Sequence, residues 1–397
     1  MNIKDFVRLS RKSSKNVIGL MSGTSVDGVD VVLVKLIGNR INTKIKQMGF
    51  HTYPFPKKMR EMILRNAEKN GGNVTEICKL NFLIARVYID AIKKLCRKLN
   101  FPINKVDLIV SHGQTIHHLP TKEKLFGYDA SSTLQIGDPS VIAKLTGVLT
   151  VGDFRVGDVA LGGQGAPLIP YFDYIIFHSS KKNRALLNIG GISNFTILNK
   201  KGKVNDVVAF DTGPGNMLID YLTKQYFNKD YDKDGRIAIR GKLSLELFDF
   251  LKDSDDFIEQ KPPKSTGREY YGKDFLAKIV NKFIMLPNED VIRTATMFTA
   301  YAVYRNYEKF IAKKTKIDEL IISGGGARNP ILVSDLKNYF GKSVEIKNIE
   351  SLGISSDAKE AICFAVLANE TISGNETNIS RVTGAGCKTI LGKICPP

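Results

Sequence analysis

Asn16-Val17-Ile18-Gly19-Leu20-Met21-Ser22-Gly23-Thr24-Ser25-Val26-Asp27-Gly28-Val29-Asp30-Val31-Val32-Leu33-Val34-Lys35-Leu36 reads as two apolar strands, residues 17–20 and 29–36, joined by a polar glycine turn over 22–28. Short apolar runs bounded by turn signals mark strands, and two of them around one turn predict a hairpin with a wide loop. The plan recurs at 185–198, where Leu186-Leu187-Asn188-Ile189 enters Gly190-Gly191 and Ile192 begins the return.

A second pair of echoes follows. Asp107-Leu108-Ile109-Val110-Ser111-His112-Gly113 and Glu319-Leu320-Ile321-Ile322-Ser323-Gly324-Gly325 each place an acidic residue before an apolar strand and a serine-glycine turn after it. Each comes after an amphipathic pattern, with Ile77, Leu80, Ile84, Val87, Ala91 and Leu95 in the first case and Val291, Ala295, Phe298 and Ala302 in the second. Hairpin, helix, strand and glycine turn thus occur twice, which predicts two related α/β lobes. Residues 134–153 read as strand-rich, and 357–371 as a last helix capped by Ser355, Ser356 or Asp357. The expected division is an N-terminal extension over 1–16, a first lobe over 17–150 with 357–397 packing back on it, and a second lobe over 151–356. A cleft between the lobes is the expected ligand site.

Composition narrows the function. The chain has 397 residues, is 43% hydrophobic, and holds no apolar run long enough to span a bilayer. Five scattered cysteines without a CxxC pair argue against a disulfide framework or a zinc ribbon and fit a reducing, cytoplasmic setting. The net charge of +18 is spread in short lysine groups, without a basic tract or an RNA-binding aromatic signature. It reads as a solvated lysine-rich surface, so neither nucleic acid nor membrane is an expected partner.

Ser22, Gly23, Thr24, Ser25, Val26, Asp27, Gly28, Val29 and Asp30 put hydroxyls, glycine backbone and carboxylates in one turn. Such a turn suits phosphate, with Asp27 or Asp30 as magnesium ligands, and it equally suits a plain hairpin. No GxxxxGK[ST] or GxGxxG is present, which removes the P-loop and dinucleotide-binding classes. Phe210-Asp211-Thr212-Gly213-Pro214-Gly215-Asn216 places a carboxylate after an apolar strand and before a helix. Asp211 is the candidate general base, with Gly213 and Gly215 on the phosphate side, or else an Asx turn. Gly324, Gly325 and Gly326, followed by Asn329, expose backbone on which a nucleoside can lie. Asp153, Arg155 and Gln164 belong to a glycine-rich segment that reads as a substrate loop, with Arg155 either binding a carboxylate or pairing with Asp153 or Asp158. His112, Gln114 and Thr115, in Ser111-His112-Gly113-Gln114-Thr115-Ile116-His117-His118, read as polar substrate contacts rather than a zinc site.

Taken in order, MSGTSVDGVD, SHGQTIHH, LQIGDPS, DFRVGDVALGGQGAPL, NIGGISN, FDTGPGN, SGGGARNP and SDAKEA resemble the anhydro-N-acetylmuramic acid kinases, members of the sugar kinase, actin and Hsp70-like superfamily. The resemblance implies a duplicated ribonuclease H-like, actin-like ATPase architecture and a coupled reaction. In it 1,6-anhydro-N-acetylmuramic acid, ATP and water give N-acetylmuramic acid 6-phosphate and ADP. It further implies that Asp211 activates the water, that the hairpin from Asn188 through Gly190 and Gly191 to Asn194 matches the first turn at the nucleotide, and that Glu360 and Arg155 face the sugar. ATP and Mg²⁺ are the implied cofactors and a homodimer the implied assembly. Val26 stands where the family commonly has leucine. A kinase of another sugar, or a nucleotide-binding protein without turnover, remains the alternative reading.

Overall fold

The computed structural model describes residues 1–68, 71–267 and 270–397. It divides into two compact units, Met1–Ile176 with Asp357–Pro397, and Phe177–Ser356.

In the first unit, β1 (Ser14–Ser22), β2 (Gly28–Ile37) and β3 (Lys44–Pro54) form an antiparallel meander. β4 (Leu108–Leu125) lies parallel to β1 on its other side, and β5 (Tyr128–Ile136) folds back on β4. β6 (Thr150–Gly152) runs parallel to β4, and the strand Lys393–Cys395 closes that edge. Because successive side chains point to opposite faces, β1 serves two layers. Ile18 and Leu20 join Leu80, Ile84 and Tyr88 of the helix Val74–Lys98 in one core. On the opposite face Gly19 lies against the helix Lys359–Ile372, where a Cβ would fall 2.2 Å from the Ala361 carbonyl oxygen. Burial on both faces explains why β1 is apolar at successive positions rather than alternating.

The structure departs from the sequence-based expectations in several places. Residues 134–153 are not mainly strand: between β5 and β6 lies the helix Pro139–Thr146. The Asp138 side chain accepts from the N–H groups of Ser140 and Val141, proline stands in the first turn, and Gly147 closes the helix at φ 71°. The unit boundary falls at 176/177 rather than near 151, because β6 pairs with β4 and so belongs to the first sheet. The last helix starts at Lys359 without a side-chain cap. The extension over 1–16 also contributes to the fold: it carries the helix Ile3–Ser10 and the start of β1, and Lys12 Nζ reaches both oxygens of Asp107 at 2.7 and 2.8 Å.

The second unit repeats the plan. β7 (Arg184–Ile189), β8 (Ile192–Leu198) and β9 (Val208–Pro214) form the meander, β10 (Glu319–Ser323) lies parallel to β7, and β11 (Glu345–Asn348) parallel to β10. A three-stranded antiparallel meander continued by two parallel strands is the ribonuclease H-like order, and here it occurs twice. The helix Asn288–Asn306 follows the period read from the sequence, with Val291, Ala295, Phe298, Ala302 and Val303 buried.

Candidate active site

The turn between β1 and β2 is pinned at both ends. Ser22 is buried, its hydroxyl shared with that of Tyr88 and donated to the Gly113 carbonyl at 3.4 Å. Ser22 is therefore occupied inside the core, and the solvent-facing hydroxyls of the turn are those of Thr24 and Ser25. Val26 is buried as an apolar anchor although its φ is 54°, a left-handed conformation costly for a β-branched residue. Gly28 is required by β3, since a Cβ there would lie 2.4 Å from the Tyr53 carbonyl oxygen, whereas a Cβ at Gly23 would meet only Ser25 Oγ, at 3.9 Å. Gln114 donates to the Gly23 carbonyl at 3.2 Å, so it supports the turn from β4.

Carboxylates gather beside this turn. Asp30 is half-buried and accepts from Thr52 Oγ1 at 2.5 Å. Its pKa is pushed up to about 6 by burial, opposed by the Thr52 hydrogen bond and reinforced by the charges of Asp27, Glu360 and Asp357. Asp27 is exposed and accepts from Ser25 Oγ at 2.9 Å. Every residue of Lys359–Ile372 except Glu360 is buried, and burying each Ile, Leu, Val or Phe there is worth about 1.5–3 kcal/mol. Glu360 is thus the one solvent-reached side chain of a helix otherwise enclosed all round. Surrounding protein raises its pKa, with Arg155 and then Lys359 opposing.

Arg155 makes no ion pair with Asp153 or Asp158. Its Nε donates to His112 Nε2 at 3.0 Å and its NH1 to the Gly165 carbonyl at 2.8 Å. Asp158 is instead a buried organiser of the loop, accepting from Gly165 N–H at 2.8 Å, Asn378 at 3.0 Å and Thr383 Oγ1 at 2.7 Å. Asp153 pairs with Lys393. His112 and Asp153 line a cavity of about 370 Å³ in the first unit, with Ser111, Gln135 and Asp138 among its polar walls. Thr115 Oγ1 accepts from Gln135 at 3.3 Å, and Gln164 is held by its N–H on the Thr383 carbonyl while its side chain is exposed.

In the second unit, register aligns four polar residues across the sheet. Ser323 of β10 is opposite Asn188 of β7, Asn188 opposite Asn194 of β8, and Asn194 opposite Asp211 of β9. Neighbours in register share a face, so these side chains form a row. Asp211 lies within β9 rather than at its end, and it is no helix-capping Asx turn. Its Oδ2 accepts from Thr266 N–H at 2.9 Å and Ser265 Oγ at 3.1 Å.

The glycines divide by job. The N–H groups of Gly215 and Asn216 donate to the carbonyls of Gly191 and Gly190 at 2.9 and 2.7 Å, which locks the start of the helix Asn216–Phe227 onto the second hairpin. Those amides are therefore taken, contrary to the expectation that Gly215 faces phosphate. Gly213 has φ 127° and backs onto the Tyr271 hydroxyl. Gly324 has φ 83° and donates to Ser356 Oγ at 2.7 Å. Gly325 and Gly326 open a short 3₁₀ turn, and Asn329 caps the helix Pro330–Phe340 by accepting from Ile331 and Leu332 N–H at 3.0 and 3.3 Å. Asn329 is thus a structural cap.

Sequence reasoning missed Thr52, Ser265, Thr266 and Gly19. Their roles depend on which chain segment lies opposite, and no local pattern carries that information.

Among the described residues no helix is long and apolar enough to cross a membrane. The profile of the anhydro-N-acetylmuramic acid kinase family matches residues 15–397. A relative from Caldanaerobacter subterraneus subsp. tengcongensis, bearing that name, is 46% identical over 98% of this chain and 98% of its own length. Relatives of the same name from Clostridioides difficile and Francisella tularensis subsp. novicida are 46% and 43% identical, each over 96% of this chain and 98% of its own. Among solved structures, component A of (R)-2-hydroxyglutaryl-CoA dehydratase from Acidaminococcus fermentans is 9% identical, covers 91% of this chain and 100% of its own, and has a TM-score of 0.46. The activator of 2-hydroxyisocaproyl-CoA dehydratase from Clostridium difficile is 12% identical over 90% of this chain and 95% of its own, at 0.44. With the motifs, the repeated sheet order and the full-length relatives in agreement, the chain belongs to the anhydro-N-acetylmuramic acid kinase family.

Proposed function

We propose that this chain is an ATP-dependent kinase that opens the anhydro ring of 1,6-anhydro-N-acetylmuramic acid and phosphorylates O6 in one coupled reaction. Asp211 takes a proton from water as the water oxygen bonds to the anomeric carbon and the bond to O6 breaks. The released O6 bonds to the γ-phosphorus, and ADP leaves. The observation that carries this reading is the setting of Asp211, a half-buried carboxylate in a polar row, oriented by two donors on one oxygen. General base catalysis from such a position is worth roughly 10² to 10⁴ in rate.

The first unit supplies the rest. Gly23, Thr24 and Ser25 present open backbone and hydroxyls to the ATP phosphates, and Arg155 with Glu360 addresses the sugar, the guanidinium matching its lactyl carboxylate. In the second unit Gly324 and Gly325 lie at the nucleoside. Magnesium fits Asp27 and Asp30. Among the described residues no three His, Cys, Asp or Glu form a complete metal site. Mg²⁺ is held by one or two carboxylates together with water and substrate phosphates, and Asp27 and Asp30 would be those carboxylates here. When bound it would offset charge on the transferred phosphoryl group. A cytoplasmic homodimer completes the reading, the assembly being measurable by sedimentation.

The deciding experiment is ADP release by purified protein with MgATP, with and without the anhydro sugar, and mass analysis of the product. Sugar-dependent ADP matched one-to-one by N-acetylmuramic acid 6-phosphate is expected. Tight ATP binding without sugar-dependent turnover would move the assignment to another sugar or to a non-catalytic role.

A further inference from the structure

Asp211 is not held by its own strand alone. Its backbone N–H donates to the Lys264 carbonyl at 3.1 Å, while its Oδ2 accepts from Ser265 Oγ and Thr266 N–H. Three consecutive residues therefore grip both its main chain and its carboxylate. This segment lies in no helix or strand, so something else must keep it still.

That anchor is Lys264. Its Nζ donates to the carbonyls of Phe257 and Ile258 at 2.8 and 3.0 Å, at the end of the short helix Asp256–Glu259. It also stands 4.6 Å from the centre of the Phe257 ring and 5.1 Å from that of Phe310. The short helix is fixed in turn, since Asp255 caps it and both Asp255 oxygens accept from the buried Tyr271 hydroxyl at 3.0 and 2.8 Å. A continuous set of contacts runs from a packed aromatic cluster to one oxygen of the candidate base.

We propose that Lys264 and Ser265 are positioning residues for the reaction: Ser265 orients the Asp211 carboxylate through Oδ2, and Lys264 immobilises the segment that carries Ser265 and Thr266. The proposal rests on the reading of Asp211 as the base. Two donors on one oxygen fix the carboxylate plane and favour its ionised form, which is the form that accepts a proton. The anchor is itself sensitive to alkali. Burial pushes the Lys264 pKa down to about 8, with Asp255, Glu259 and Asp211 holding it up and Lys309 pressing it further down.

The test measures kcat, both KM values and the pH profile of kcat for wild type, Ser265→Ala, Ser265→Thr, Lys264→Met and Asp211→Asn, with ATP affinity and thermal unfolding followed in parallel. Ser265→Ala is expected to lower kcat about tenfold and to move the acidic limb of the profile upward, leaving the KM for ATP unchanged, since a lost hydrogen bond to the ionised form raises the carboxyl pKa. Ser265→Thr restores both. Lys264→Met lowers kcat and abolishes the alkaline limb near 8. If Asp211→Asn is inactive while Ser265→Ala matches wild type in rate and profile, the positioning role fails and the base assignment stands. A fall in kcat with an unmoved acidic limb and no rescue by threonine also overturns it. Turnover surviving Asp211→Asn overturns both readings.

Discussion

Arg155 Nε lies 3.0 Å from His112 Nε2, and His112 Nδ1 donates to the Gly113 carbonyl at 2.8 Å. One imidazole thus carries its proton on Nδ1 and presents its lone pair to a guanidinium. Burial first, and the Arg155 cation second, push the His112 pKa from 6.5 down to about 3. In the unfolded chain the ring takes up a proton near its ordinary value, so between pH 6.5 and about 3 the unfolded state binds more protons and stability is lost as the pH is lowered. Wild type should lose more urea resistance between about pH 7 and about pH 5 than His112→Gln, which keeps an acceptor without titrating. Equal losses would remove His112 as the responsible group.

Asp30 carries opposite demands. Its pKa of about 6 exceeds the ordinary 3.8, so ionisation opposes folding, and the stability present below 3.8 is lost as pH rises through about 6. Asp30→Asn should therefore raise the melting temperature of the metal-free protein, by roughly 2–4 °C per kcal/mol relieved. The same change should raise the Mg²⁺ concentration needed for half-maximal rate. In wild type that requirement should climb as pH falls below about 6. A melting temperature that drops, or a metal requirement indifferent to the substitution, contradicts the assignment.

Gly19→Ala tests the layer behind the site. The added methyl meets backbone, the Ala361 carbonyl oxygen at 2.2 Å, so the helix carrying Glu360 must move. Overpacking of this kind costs about 1–3 kcal/mol. The expected result is that loss in urea unfolding together with a raised KM for the anhydro sugar. A destabilised enzyme with an unchanged KM would show that Glu360 does not bind it.

Glu319 is the corresponding test of the second unit. It is 1% exposed, and burial would raise its pKa, but hydrogen bonds from Lys182, Lys347 and Arg184 outweigh that and hold it at about 2. Its contribution is present above the ordinary value of 4.5 and is lost as pH falls through about 2. Glu319→Gln should destabilise the protein by roughly 2 kcal/mol near neutral pH, the scale of lost charged hydrogen bonds. ATP affinity should be retained, and calorimetry with nucleotide titration separates the two effects.

Much of the fold was legible because its signals are local. Buried strands are apolar runs, and glycine turns interrupt them at defined points. The helix Pro139–Thr146 carries local signals too, since Asp138, Pro139 and Gly147 are its cap, first-turn proline and terminator. Its apolar residues blend with those of the flanking strands, which hides it within a strand-like stretch.

The candidate site was legible in its residue types and obscure in its assignments. The motif residues Ser22, Gly215 and Asn329 are consumed by Tyr88 and Gly113, by Gly191, and by the Pro330–Phe340 helix, respectively. Arg155 had two candidate protein partners in sequence, Asp153 and Asp158, and in the folded chain it takes His112 and a backbone carbonyl instead.

What the chain order settled was most of the element types, the repeated lobe and the residue types available in each turn, since propensity, periodicity and turn geometry act over a few residues. Tertiary structure alone decided which groups meet. Asp211 and Ser265 are 54 positions apart in the chain, and their 3.1 Å hydrogen bond exists only because two segments fold against each other. Burial, hydrogen bonding and charge proximity set the ionisation of Asp30, His112 and Lys264, and each is a property of the packed neighbourhood rather than of the residue.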